Sequence, residues 1–293
     1  MIYLLNKYIL FTVNFFLLFC SNPHPETKNK NQQQSFNSYW YRGTAEITSF
    51  QLSQVRYGEV HKGTAVHIFV TENFLPNKQV KADHNNAKNI PVLKLNSVKK
   101  FTTGIYPYSL MTSSFSPIDT NKKALKISFS AQEWCGNTYV QVNNKNNFDI
   151  ESHSYFETNA DKKLSLKKEV LEDEIWNLLR ISPKKLPIGK MNIIPSMEFL
   201  SLHHKKIKAY EAITKLEEKD SFFYYQIEYP NLNRKITIQF TNQFPYNILG
   251  WEETLNSYGK KLVTKATKIK TIQSDYWNKH KVIDASDRKK LGL

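Results

Sequence analysis

From Tyr39 onward, apolar and polar side chains alternate along the chain, the period-two pattern of strands with one buried face. The clearest runs are Ala45–Thr48, Val66–Val70, Leu93–Leu95, Leu125–Phe129 and Tyr139–Val142. Turn residues separate them: Tyr57-Gly58, Lys62-Gly63, Pro76-Asn77, Gly136-Asn137 and the cluster from Asn143 to Asn147. This spacing predicts an antiparallel meander over residues 39–160. A second β run is predicted over 184–272, through Gly189–Leu200, Lys206–Ile213, Phe222–Tyr229 and Lys235–Phe240, with Phe244–Trp251 and Leu262–Ile272 closing it.

Between the two runs, residues 165–180 change to helical spacing. Val170, Leu171, Ile175, Trp176, Leu178 and Leu179 form a broad apolar face. Ser165 is placed to cap the start, and Pro183 follows the end. Glu172, Asp173 and Glu174 read as the solvated face, because consecutive helical residues point in different directions. A short capped helix and a coil are expected over 274–293.

The expected fold class is therefore mainly β: a curved antiparallel sheet, or an open barrel or clam, around one amphipathic helix. Two packed sheets are the other arrangement of such strands. No repeat at a fixed period is visible, which argues against a propeller or solenoid. With 293 residues, 40% hydrophobic and 13% aromatic, the chain can build a real core, and residues 39–293 are expected to form one domain.

The first twenty residues, MIYLLNKYILFTVNFFLLFC, differ in texture. The apolar run from Tyr8 to Phe19 has the length of a signal-peptide core. Polar Asn6, Lys7 and Asn14 make a spanning helix a poorer fit. Its end, Leu17-Leu18-Phe19-Cys20, resembles the lipobox of bacterial lipoproteins, which implies lipidation of Cys20 and cleavage before it. Phe19 departs from the small residue usual in that motif. Residues 21–38 are polar, include Pro23 and Pro25, and are expected to be a flexible tether. As a coil it would reach roughly 20–25 Å. The expected location is the cell envelope, outside the cytoplasm, with the membrane as partner through Cys20.

The formal net charge of +15 raises the alternative of polyanion binding. The lysines are spread in pairs, such as Lys99-Lys100, Lys122-Lys123 and Lys205-Lys206, which suits turns and strand edges better than one nucleic-acid patch. Two cysteines, Cys20 and Cys135, rule out a disulfide framework. There is no G-x-x-x-x-G-K, G-x-G-x-x-G, G-x-S-x-G or H-E-x-x-H, and no cofactor is implied. For metal ligation, a hairpin could bring His61 and His67 to Asp83 and His84. Adjacent His203 and His204 point apart on a strand, and no metal site is expected.

The best local candidate for chemistry is Glu133-Trp134-Cys135-Gly136. A nucleophilic thiolate needs a neighbouring base, and the sequence places none there. The segment reads more simply as a buried thiol beside a core tryptophan. Cys135 and Glu133 remain the candidates for a hydrolase or transferase. The aromatic groups Tyr39-Trp40-Tyr41, Tyr106-Pro107-Tyr108, Phe222–Tyr225 and Phe244-Pro245-Tyr246 either line a cavity for an acyl chain or fill a core.

VRYGEVHKGTAVHIFVTENFLPNKQVKAD, SFSAQEWCGNTYVQVN and FPYNILGWEET resemble stretches of β-rich envelope proteins of Gram-negative bacteria, over nearly all of residues 39–293. Some such chains carry the label of Maf, the septum-formation inhibitor. The Maf motif Ser-x-Ser-x-x-Arg is absent; the nearest fragment, Ser53-Gln54-Val55-Arg56, lacks its first serine. The resemblance implies an envelope location and a β fold, and carries over no site residues. Together these observations lead to the expectation of a non-enzymatic lipoprotein that binds an apolar or amphipathic ligand, or an envelope partner.

Overall fold

A computed structural model of the protein describes residues 25–257 and 259–293; the expected signal peptide, Cys20 and the start of the expected tether lie outside them. The fold is mainly β, one large open curved sheet of sixteen strands with few helices. The first half of the chain supplies β1 (Ala45–Arg56), β2 (Glu59–Leu75), β3 (Val80–Lys81), β4 (Ile90–Thr103), β5 (Tyr106–Pro117), β6 (Lys126–Glu133), β7 (Gly136–Asn144), β8 (Phe148–Ser154) and β9 (Lys162–Leu166). The second half supplies β10 (Val170–Leu171), β11 (Gly189–Ile194), β12 (Tyr210–Lys219), β13 (Phe222–Tyr229), β14 (Arg234–Thr241), β15 (Ile248–Ser257) and β16 (Lys260–Ser274). Each half is an up-and-down meander. They join where β1 pairs antiparallel with β16, so first and last strands lie side by side in the middle of the sheet. Among the described residues, only the β10–β11 pair is parallel.

The sheet curls because long strands twist and are bent at defined points. Register shifts at Ser49/Phe50 and at Gln239/Phe240 are bulges that sharpen the bend. Gly63 and Gly250 serve close approach: a Cβ there would lie 2.3 Å from the Lys100 and Ala266 carbonyl oxygens, respectively. The concave face closes on one continuous core, including Phe50, Phe69, Phe129, Phe148, Tyr225 and Phe240. The expected aromatics are thus largely core filling: Trp40, Tyr108 and Tyr225 are buried in it.

Three local expectations change. The helix starts later than expected: α2 spans Glu172–Ile181, and the 165–171 segment is strand or link. Its residues satisfy their backbone elsewhere, since Lys162–Leu166 pair with β8 and Val170-Leu171 pair with β11. Long-range ladders override the local helical spacing. Ser165 therefore sits in β9, and Leu171 precedes the helix.

The expected coil before Tyr39 is helical from residue 25: α1 spans Pro25–Trp40. Phe36 and Trp40 lie four apart on one helix face, and both are buried in the main core. Those two aromatics dock an otherwise polar segment, with the Phe36 ring 6.3 Å from Phe244 and the Trp40 ring 6.1 Å from Phe69. The folded body therefore begins before Tyr39.

Within the second β run, Met197–Leu202 form a helix, α3, capped by the Ser196 hydroxyl accepting from the Phe199 N–H at 3.2 Å. At the C-terminus β16 runs to Ser274, and the remaining helix, α4, is only Ser286–Lys290. Among the described residues no helix is long and apolar enough to cross a membrane.

Candidate functional site

The acids expected on a solvated helix face are buried. Glu172, Asp173 and Glu174 open α2 inside the curved sheet, and each has its own partners. Glu172 receives a forked pair of hydrogen bonds from the Arg234 guanidinium, at 2.5 and 2.7 Å, and a third from the Tyr229 hydroxyl at 2.7 Å. Asp173 accepts the N–H of Met197 at 3.0 Å, fixing the start of α3. Glu174 accepts the N–H of Leu171 at 3.1 Å and that of Ala124 at 2.7 Å, closing the helix N-terminus and holding the β5–β6 loop. Acids at this end also suit the helix dipole.

The other end of α2 mirrors the arrangement. Arg180 forks onto Glu46 of β1 at 2.6 and 2.7 Å, and its guanidinium lies over the Phe69 and Trp40 rings at 4.7 and 4.9 Å. Tyr39 adds a short hydrogen bond to Glu46. Burial alone would raise the Glu46 carboxyl, but the Arg180 charge and these hydrogen bonds hold it below its ordinary value. Between the ends, Asn177 accepts from the Ser114 hydroxyl and donates to the Leu93 carbonyl at 2.7 Å. The helix is thus bolted at both ends to strands from both halves of the sheet.

Beside the start of α2 lies a cavity of about 50 Å³. It is lined by His67, Lys99, Glu198, His203, Arg234 and Glu253, with Gln54, Asp173, Trp176 and Trp251. Most charges are matched: Lys99 meets Glu198 at 2.6 Å, and Arg234 meets Glu253 at 2.5 Å. Burial pushes the Asp173 carboxyl up to about 8, with the Glu172 and Glu198 charges adding to the shift and the Met197 N–H opposing it. Burial holds His67 down to about 3, and His203 down to about 4. Asp173 is thus mostly protonated, and both histidines neutral, at pH 7. His67 stacks on Trp251 with ring centroids 4.9 Å apart and meets the edge of Trp176 at 5.4 Å. Among the described residues its Nδ1 and the Oε1 of Gln54 are buried without a partner. A space of this size suits a few ordered waters. It is well short of the ~300–1,000 Å³ of small-molecule sites.

A second site lies on the convex face, where the C-terminal segment crosses the sheet. The Ser49 hydroxyl donates to the Leu291 carbonyl at 2.5 Å, and Leu291 packs on Ala45, Ile47 and Val70. This explains why β1 is buried on both faces rather than alternating. Beside this contact runs a groove of about 310 Å³. Ile47, Val66, Ile68, Val98, Ile272 and Leu293 supply apolar walls, and Lys100, Lys279 and Arg288 supply cations beside the carboxylates of Asp284 and Asp287. Lys279 and Lys290 both bond Asp287, which holds its carboxyl down to about 2 and ties the segment to itself.

The sequence-expected candidates fall elsewhere. Trp134 and Cys135 are exposed in the two-residue turn between β6 and β7, contrary to the expectation of a buried thiol beside a core tryptophan. The Glu133 carboxylate accepts the Cys135 backbone N–H at 2.7 Å, and its hydrogen bond with the thiol raises the Cys135 pKa, the opposite of what a nucleophile needs. The groove that Glu133 and Trp134 line contains no histidine among the described residues. His61 hydrogen-bonds the Arg56 carbonyl at one end of β2, whereas Asp83 and His84 lie beyond the other end. Among the described residues no group of three or more His, Cys, Asp or Glu is placed to hold a metal ion. Lys99, expected at a turn or sheet edge, instead points into the interior beside Glu198.

Sequence reasoning missed both the interior ion pairs and the convex groove. The signals available are weak: Arg180 after the apolar Leu178-Leu179, Arg234 at the start of a strand, and Leu291 and Leu293 beside the basic Arg288-Lys289-Lys290. Comparison of the chain with known protein families, curated proteins and solved structures finds no match.

Proposed function

We propose that the protein is an exported, membrane-tethered binding module, non-enzymatic, that takes an anionic amphiphile in the convex groove. The observation that carries this reading is the lining of that groove: apolar walls from β1, β2, β4 and β16 beside Lys100 and Arg288, with the two carboxylates there, Asp284 and Asp287, already held by the Lys281 N–H and by Lys279 and Lys290. An acyl chain would lie along the walls while its acidic head meets the cations. The volume, about 310 Å³, is in the range of small-ligand sites, unlike the interior cavity. The tether belongs to the proposal through Leu17-Leu18-Phe19-Cys20, with Cys20 as the lipidated residue.

Titration of the full-length protein with a saturated long-chain fatty acid, followed by native mass spectrometry, tests the groove. One bound molecule is expected. Ile68→Lys places an ammonium among the apolar walls and is expected to weaken binding by roughly tenfold, about the loss of one buried aliphatic side chain. Equal binding to both forms would show that the groove is not the site.

A further inference from the structure

We infer that the hairpin ends along one edge of the first meander form a docking rim for an anionic lipid bilayer surface. The inference goes beyond the groove, since the rim is made of different residues and needs no lipid on Cys20. In an up-and-down meander every second turn falls at the same end. The turns at 57–58, 104–105, 134–135 and 155–161 therefore share one end of the sheet.

These turns are occupied by the wrong residues for solvent. Turn tips favour Gly, Asn, Asp and Ser. Here they present Tyr57, Ile105, Trp134 and Tyr155, at 62%, 80%, 68% and 77% exposure. Tyr57 even takes a left-handed conformation, φ 52°, ahead of Gly58 at φ 80°, in a turn that would be eased by asparagine. Single exposed apolar residues are ordinary, but these four share one end of the sheet, and three of them touch neighbouring strands. The Tyr57 hydroxyl bonds that of Tyr108 at 2.7 Å, the Tyr106 ring lies 6.3 Å from Trp134, and Tyr155 packs over Gly136.

Charge selects the partner. Beside the tips stand Lys62 on β2 and Lys205 and Lys206 after α3, which Arg56 ties to the rim through the Leu202 carbonyl at 2.6 Å. Lys260 and Lys261 start β16 at the same end. Glu59, Glu133, Glu157 and Asp161 are the acids on these turns and their strands, and Glu228 and Glu252 lie near Lys261, on a chain of net charge +15. Aromatic and aliphatic tips among lysines match the headgroup layer: rings sit at the interface and ammonium groups reach anionic phosphates.

The test uses full-length protein carrying Cys20→Ala in every arm, with vesicles containing brominated lipids. The N-terminal apolar run is common to all arms, so the readout is tryptophan quenching rather than sedimentation. On vesicles of phosphatidylglycerol and phosphatidylethanolamine, fluorescence is expected to be quenched. That quenching is lost in Trp134→Phe and kept in Trp277→Phe, whose indole lies on the C-terminal segment, away from the rim. Lys205→Gln and Lys206→Gln each weaken docking by roughly fivefold. All of these changes are at exposed positions, so the fold is retained. Quenching that survives Trp134→Phe, an unquenched Trp134, or equal quenching on pure phosphatidylcholine would overturn the inference. An unquenched Trp134 is also the outcome if the rim receives a protein instead.

Discussion

On the concave side of the sheet, Glu46, Glu172, Asp173, Glu174, Arg180 and Arg234 are buried, while at the hairpin ends Tyr57, Ile105, Trp134 and Tyr155 stand in solvent. The two regions invert the common rule of apolar inside and charged outside. The inversion has different causes. Inside, every one of those groups has a hydrogen-bonding partner from another element, Glu46–Arg180 and Glu172–Arg234 as ion pairs and Asp173 as a largely protonated carboxyl, so their burial serves to fix α2 against both meanders. At the rim, the tip side chains bury little, so their cost is not offset within the chain. Interior charges here explain architecture; exposed aromatics point outward, to something the rim meets.

The sharpest way to break this comparison is to unpair the interior. Arg234→Met leaves Glu172 and Glu253 buried beside the cavity without their cation. Stability measured by denaturant unfolding is expected to fall by about 3–5 kcal/mol. Adding Glu172→Leu should recover part of that loss, since an apolar pair avoids desolvating charge. An Arg234→Met protein as stable as wild type would show that the pair does not organise the interior.

A smaller effect is expected from pH. The Asp173 carboxyl is raised in the folded protein, to about 8 from an ordinary 3.8. Between those values the folded state holds a proton that the unfolded state has released, so stability falls as pH rises through this window. His67 works in the opposite sense: held down to about 3, it costs stability as pH falls below 6.5. Asp173→Asn keeps a carbonyl oxygen for the Met197 N–H and removes the titration. Its unfolding free energy is expected to lose the decline between pH 6.5 and 8. An unchanged pH profile would contradict the buried, protonated state.

The smallest effect belongs to the rim. Trp134→Ser and Ile105→Ser are expected to alter stability by no more than about 0.5 kcal/mol, as for surface positions away from packing. A loss of several kcal/mol in either would mean that the tips belong to the core after all.

The curved sheet is legible because alternation is a local signal: Val66–Val70 form a strand as expected, and the expected run Leu125–Phe129 is strand from Lys126. What escaped depended on distant partners. Ser165-Leu166 read as the start of a helix, but they belong to a ladder that β8 supplies. Glu172 reads as solvated in isolation, and its cation lies 62 residues away. The segment before Tyr39 looked like coil because its composition is polar; two aromatics, Phe36 and Trp40, sufficed to dock it. Trp134-Cys135 follows a strand and reads as core, but alternation alone does not tell a strand's last buried residue from its turn. The convex groove was invisible because its walls come from four strands and the C-terminal segment.

Membrane attachment underlies the proposed role, and metabolic labelling with radioactive palmitate tests it most directly. Wild-type protein is expected to incorporate label and to fractionate with membranes, and Cys20→Ala to lose the label. Equal labelling of the two forms, or none in the wild type, would contradict a lipid anchor at Cys20.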